Sequence, residues 1–279
     1  MNKKEVNRLI IEPGRLEKNY WNDLWRFKEL FIIFSWRDVK VRYKQTAIGL
    51  IWAFIRPLLT MLIFTFVFGK IAGMKSEGLA PYSIMVFAGL LPWTFFSTAF
   101  VNASESLISN SNLLSKVYFP RLIVPASAII TSFIDFLISL VILFFLMWYY
   151  HYLPSLKILT LPFFIILTFL PTVAFGLYFA TLNVKYRDFR YVIPFIVQLG
   201  LYISPIGYST TVIQDEWKLL YNLNPVVSLI DCFRWSIISE NNNSPFTPYF
   251  FISNSISIFM LFYSIHKFRK MEKTLADLI

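Results

Sequence analysis

Six runs of largely apolar residues, most of them bounded by Lys or Arg, restrict what this chain can fold into. They are Ile48–Gly69, Leu79–Val101, Leu122–Tyr150, Ile158–Leu182, Tyr191–Ile213 and Phe246–Ile265. A helix needs roughly 20 such residues to cross about 30 Å of hydrocarbon. In lipid a spanning backbone must satisfy its own hydrogen bonds, and helices do so within one segment. The sixth run is interrupted by Ser253, Asn254, Ser255 and Ser257. Composition points the same way. The chain is 57% hydrophobic and 15% charged, too apolar for one core shielded from water. The expected fold is therefore all-α and integral to the membrane, with six spans.

Charge placement sets the expected orientation. Residues 1–47 carry 11 Lys and Arg, and residues 102–121, 183–190 and 266–279 carry 2, 3 and 4, which makes 20 on one side. The other side has Lys70, Lys75, Lys157, Lys218 and Arg234, which makes 5. Basic loops stay in the cytoplasm, so both termini are expected there. The net charge of +10 flanks apolar runs and forms no groove-sized patch, which argues against a nucleic-acid partner. The single Cys232 excludes an intrachain disulfide and a cysteine metal cluster. The first 25 residues lack an apolar core and do not read as a cleavable signal.

The domain reading has three parts. Residues 1–47 form a cytoplasmic N-terminus, 48–265 the spanning domain and 266–279 a basic tail. Within 1–47, Trp21, Leu24, Trp25 and Phe31 share a helical face opposite Asn22, Asp23, Arg26 and Glu29. That pattern reads as a helix lying in the membrane interface or as an ordinary packed helix. The outer segment, about 214–245, is too long for a turn and carries Trp217, Leu219, Leu220, Tyr221, Val226–Ile230 and Phe233–Ile238. Two short helices dipping back into the membrane would bury these residues.

Catalytic signatures are missing. There is no GxxxxGK[ST] loop for ATP, and no HExxH, CxxC, DxD or GxSxG. His151 and His266 fall at opposite faces. Two ionisable residues lie within spans. Arg56 is roughly 12 Å deep and Asp135 roughly 20 Å deep, at 1.5 Å per residue. Such groups normally face a protein interior or a wet cavity. They are expected to pair, either as the polar wall of a pathway or as a structural bridge, with snorkelling of Arg56 as the alternative.

The segment WRDVKVRYKQTAIGLIWAFIRP, Trp36–Pro57, resembles the opening of the permease subunits of ABC exporters for bacterial surface polysaccharides. Trp36, Arg37, Asp38, Lys40, Arg42, Tyr43, Gln45, Thr46, Gly49, Trp52 and Pro57 carry the likeness. KVYFPRLIVP (Lys116–Pro125), LNVKYRDFRYVIPF (Leu182–Phe195), ISPIGYS (Ile203–Ser209) and LNPVVSLID (Leu223–Asp231) resemble further family segments in the same order.

The resemblance implies a homodimer in the bacterial inner membrane with two copies of a separate ABC ATPase. ATP and Mg would bind that partner, and this chain would hold no cofactor. The stretch at about 104–118 would be the coupling helix, with Glu105, Ser109, Asn110, Asn112 and Lys116 meeting the ATPase. Residues 214–245 would form gate helices. The substrate would be an O-antigen, capsule or teichoic acid chain on an undecaprenyl diphosphate or similar lipid. Pyranose faces stack on aromatic rings, so Trp52, Trp93, Tyr202 and Tyr208, with Arg56 and Asp135, are the candidate lining of the substrate path. Arg37, Arg42 and Lys44 at the mouth of the first span attract the carrier diphosphate or serve topology alone. A drug or small-lipid exporter and a membrane glycosyl or phosphoglycosyl transferase are the alternative functions, the latter disfavoured by the lack of a carboxylate or metal cluster.

Overall fold

The computed structural model describes residues 20–44, 49–238 and 244–274. All regular structure among them is helical. The chain begins with α1 (Tyr20–Arg26) and α2 (Lys28–Lys44). After residues 45–48 comes α3 (Gly49–Phe64), which widens into a π-helical stretch, Thr65–Ile71. Next come α4 (Tyr82–Ser109), the single turn α5 (Ser111–Leu114), α6 (Ile123–Tyr149), α7 (Leu161–Lys185) and α8 (Phe189–Ile203). Two short helices follow, α9 (Asp215–Asn222) and α10 (Pro225–Ile237), and α11 (Pro248–Glu272) comes last.

Among the described residues, five helices are long and apolar enough to cross a membrane, at residues 51–71, 82–109, 123–149, 156–185 and 248–272. They overlap the first, second, third, fourth and sixth expected spans. The fifth differs. Its helix, α8, has 15 residues, roughly 22 Å at 1.5 Å per residue. Ser204 turns extended, with φ −73° and ψ 146°. Pro205 then has no N–H with which to continue the ladder.

α4 is the central helix. Its spanning window is 78% buried, against 11% for α3, so α4 is shielded by the rest of the fold while α3 presents its apolar side outward. α6 and α7 pack along α4. Phenylalanine fills the space between them, with the Phe95 ring centroid 5.0 Å from Phe169, 5.6 Å from Phe136 and 5.7 Å from Phe133. Many of the abundant Phe residues are thus interior packing. Small residues let the backbones approach. A Cβ on Gly176 of α7 would lie 3.1 Å from Ala103 Cβ of α4. Polar ties cross the same contacts: Asn183 Nδ2 donates to Ser104 O at 3.0 Å and Asn102 Nδ2 to Ser132 Oγ at 2.9 Å.

A second core closes the basic end of the bundle. Phe34, Leu107, Phe119, Val124, Val184 and Phe268 meet there. Arg121 fastens the end of α11, through its N–H to Glu272 Oε1 at 2.8 Å and its Nη1 to Glu272 O at 2.6 Å. The N-terminal helices join this core. Leu24, Phe27, Leu30 and Phe31 pack on it, while Trp21 and Trp25 face outward. The expected apolar face therefore divides between protein and surroundings. α2 also runs farther than expected, alongside the first half of α6.

The segment at about 214–245 holds two short helices, α9 and α10. Asn224 caps α10 by accepting from Val226 N at 3.1 Å, and Pro225 occupies its first turn, where a missing N–H costs nothing. α10 is largely buried against α4 and α7. α9 leaves Trp217, Leu219 and Leu220 exposed.

Candidate functional site: a polar cavity among the spans

Halfway along the bundle, α2, α3, α4, α6 and α8 enclose a cavity of about 410 Å³. Helical periodicity builds its walls. Trp52, Arg56 and Thr60 stand four residues apart and share one face of α3. Ser132, Asp135 and Ser139 recur at i, i+3 and i+7 on α6. α4 contributes Trp93, Thr94, Ser97 and Thr98, and α8 contributes Val197, Gln198 and Leu201. The wall therefore combines two indoles, several hydroxyls and a few charges with apolar side chains such as Leu90, Phe136 and Leu201.

Four of the hydroxyls are oriented by their own helices. Thr60 Oγ1 donates to Arg56 O at 2.9 Å, Thr94 Oγ1 to Leu90 O at 2.8 Å, Ser132 Oγ to Ala128 O at 3.0 Å and Ser139 Oγ to Asp135 O at 3.0 Å. With their protons committed to the backbone, these oxygens present lone pairs as acceptors. Trp93 is held edge-on by α8. A Cβ on Gly200 would fall 2.4 Å from Trp93 Cη2, so only glycine lets α8 lie this close to the indole.

Asp135 is not paired with Arg56. Its Oδ2 lies 2.8 Å from Arg42 Nη1, and its Oδ1 accepts a short hydrogen bond from Tyr43 Oη. α2 runs in the same direction as the first half of α6, which carries Arg42 to the depth of Asp135 and, among the described residues, leaves Arg56 without a carboxylate partner. The same clasp continues down α2. Ser127 Oγ donates to Asp38 Oδ2 at 3.4 Å, Arg37 pairs with Asp38 at 2.7 Å, and Arg37 Nη2 donates to Asn110 Oδ1 at 3.0 Å.

The expected lining residues thus separate. Trp52, Trp93, Arg56 and Asp135 come together in one cavity. Tyr202 is exposed on α8. Tyr208 lies at the far end, where its Oη donates to Ile203 O at 2.8 Å and is 2.8 Å from Tyr221 Oη. Of the basic residues expected at the mouth of the first span, Arg42 turns inward to Asp135 and Arg37 bridges to Asn110. The side chain of Lys44 lies outside the described residues. The expected coupling stretch is the end of α4 followed by the single turn α5. Ser109, Asn112 and Lys116 are exposed there, Glu105 is half-buried, and Asn110 accepts from Arg37 while donating to Ser106 O at 2.8 Å.

Sequence reading missed several residues. Tyr43 was read only as part of the opening family segment, with nothing to mark it as a partner of Asp135. Thr60, Ser132 and Ser139 were legible as helical neighbours of Arg56 and Asp135. Arg234 was counted only as a cation of the outer face. In the structure it is fully buried and gathers the far end around itself. It donates to Ile206 O and Tyr208 O, both at 2.8 Å, and to Met85 O at 3.4 Å, and it lies 3.5 Å from Glu77 Oε1. It thereby ties α10 to the extended stretch after α8 and to the start of α4.

The chain is similar along nearly its whole length to the O-antigen export system permease protein RfbA of Myxococcus xanthus, with 27% identity over 92% of this chain and 98% of that one. It is 28% identical to the Klebsiella pneumoniae permease of the same description, over 74% of this chain and 79% of that one. It is 25% identical to the inner membrane transport permease YadH of Escherichia coli K12, over 67% and 76%. Residues 29–238 match the family described as ABC-2 type transporter, a stretch that takes in the cavity, the clasp of α2 on α6 and the buried Arg234, and on that match the chain belongs to the ABC-2 transporter membrane family.

Proposed function

We propose that the chain is the permease of an ABC transporter that exports a lipid-linked polysaccharide, of the O-antigen, capsule or teichoic acid kind, across the bacterial inner membrane. The observation that carries this reading is the cavity. It sets Trp52 and Trp93 against a wall of acceptor hydroxyls halfway along the spans. Indole faces stack on the apolar faces of pyranose rings, and the hydroxyl lone pairs accept from sugar hydroxyls. Many weak contacts of this kind hold a polymer without stopping it. The likeness to O-antigen export permeases supports the same substrate class.

In this reading two copies pair through the apolar sides that α3 and α8 leave exposed, among them Ile51, Leu62, Ile63, Phe195 and Leu199. α8 with the extended stretch after it serves as a sixth, short crossing, and α9 and α10 form the outer gate. The basic ends and both termini lie in the cytoplasm. Two copies of a separate ATPase bind ATP and Mg and seat against the end of α4 and α5, with Glu105, Ser109, Asn110, Asn112 and Lys116 in contact. The Arg37–Asn110 bond and the α2–α6 clasp give their movement a continuous polar route to the cavity wall.

The test is deletion of the gene in its host, followed by analysis of surface glycan and lipid-linked precursor. Export predicts loss of surface polymer with precursor accumulating in the cytoplasm. Loss of both would point to an enzyme of synthesis, and an unchanged surface would refute the polysaccharide reading.

A further inference from the structure

The charges around the cavity do not balance. Its wall holds two guanidinium groups, Arg42 and Arg56, and one carboxylate, Asp135. Asp135 is taken by Arg42 and Tyr43. Among the described residues the Arg56 guanidinium has no carboxylate or carbonyl partner; only its backbone oxygen is used, by Thr60. It is exposed toward the space that α3 helps to enclose. A cation within a span normally has a protein partner or a ligand that needs it.

The donors nearby are equally selective. Thr60, Thr94, Ser132 and Ser139 have spent their protons on helix carbonyls and can only accept. Thr98 and Gln198, in the same wall, have no hydrogen-bond partner among the described residues. The cavity thus sets four acceptor hydroxyls, suited to sugar hydroxyls, in an otherwise largely apolar wall. Among the described residues its uncommitted donors are the Arg56 guanidinium fork, the Thr98 hydroxyl, the Gln198 amide and the indole N–H groups of Trp52 and Trp93, and of these only Arg56 is charged. A planar fork with five N–H donors matches a carboxylate or phosphate oxygen pair, and a neutral sugar makes little use of it.

We propose that Arg56, with Thr98 and Gln198, forms an anion subsite in the translocation cavity, and that the transported molecule presents a carboxylate or phosphate group to it. The inference rests on the export reading above and narrows it, because it makes the cargo acidic at the point that passes Arg56. The acidic group has two sources, the repeat unit of the glycan or the diphosphate of its lipid carrier. The chemistry at Arg56 is the same for both.

The experiment measures binding to the full chain in phosphatidylcholine nanodiscs by calorimetry. Three probes are used: hexagalacturonate, maltohexaose and farnesyl diphosphate. The expected result is that at least one anionic probe binds ten-fold or more tightly than maltohexaose and weakens with added salt. Arg56→Gln then removes that preference, while Arg56→Lys, which keeps the charge without the fork, retains part of it. Dependence on Arg56 for hexagalacturonate assigns the group to the glycan. Dependence for farnesyl diphosphate alone assigns it to the carrier. Melting curves of both variants separate loss of the subsite from loss of the fold, with Arg56→Lys carrying the test if Arg56→Gln is unfolded. Equal affinity of the native chain and a folded Arg56→Gln for every probe overturns the proposal. So does a change in dimerisation without a change in anion affinity, which would make Arg56 an interface residue. Either negative result leaves the deletion phenotype intact if export is correct, so the two readings fail separately.

Discussion

Arg234 is the residue on which the far end of the bundle most depends, and its removal has a calculable cost. Its side chain is 0% exposed. Two of its hydrogen bonds, to Ile206 O and Tyr208 O, are 2.8 Å long. Hydrogen bonds from a charged group contribute about 1.5–3 kcal/mol each, and removing one member of a buried charged set costs about 3–5 kcal/mol. The two routes agree on about 4 kcal/mol for Arg234→Leu, since the orphaned carbonyls stay buried. For a chain of this size 1 kcal/mol corresponds to about 2–4 °C, so the melting temperature is expected to fall by about 10 °C. Tryptophan-fluorescence melting in detergent measures it. Hydrogen exchange should rise at residues 204–209, where Arg234 holds the carbonyls of Ile206 and Tyr208. Glu77→Gln is the control. Its carboxylate stands farther off, at 3.5 Å, and is 15% exposed, so it is expected to cost less than half as much. A melting point for Arg234→Leu within 2 °C of the native chain would refute the carbonyl cradle. An equal loss in Glu77→Gln would assign the stability to the ion pair.

Two further perturbations probe the cavity. Asp135→Asn removes the charge that Arg42 and Tyr43 share. Because the pair is 35% and 27% exposed, the expected cost is only about 1–2 kcal/mol. The double change Arg42→Asp with Asp135→Arg should recover at least half of it, and a melting comparison showing no recovery would count against the pairing. Gly200→Ala drives a methyl into Trp93. It is expected to cost about 1–3 kcal/mol through overpacking, with surface polymer reduced in a complementation assay. Adding Trp93→Phe should relieve the clash, and a lack of relief would show that Gly200 matters for another reason.

Much of this architecture was legible in the residues. Lipid is a solvent that demands long apolar helices, so the runs at 48–69, 79–101, 122–150 and 158–182 declared themselves by length and hydropathy. Helical periodicity makes Thr60 legible as a neighbour of Arg56, and Ser132 and Ser139 as neighbours of Asp135, but only the fold brings these two faces to one cavity. The fifth run was misjudged in length because hydropathy continues through Ser204 and Pro205 while the backbone ladder does not. Pairing was decided elsewhere. Both Arg42 and Arg56 could have matched Asp135 by charge, and only the path of α2 beside α6 selected Arg42. Likewise, nothing local distinguishes Arg234 from an exposed cation, because its partners Glu77, Met85, Ile206 and Tyr208 come from three other parts of the chain. Sequence determined which segments must leave water. Tertiary packing decided which charge met which partner, because that choice turns on distances of a few ångströms between residues far apart along the chain.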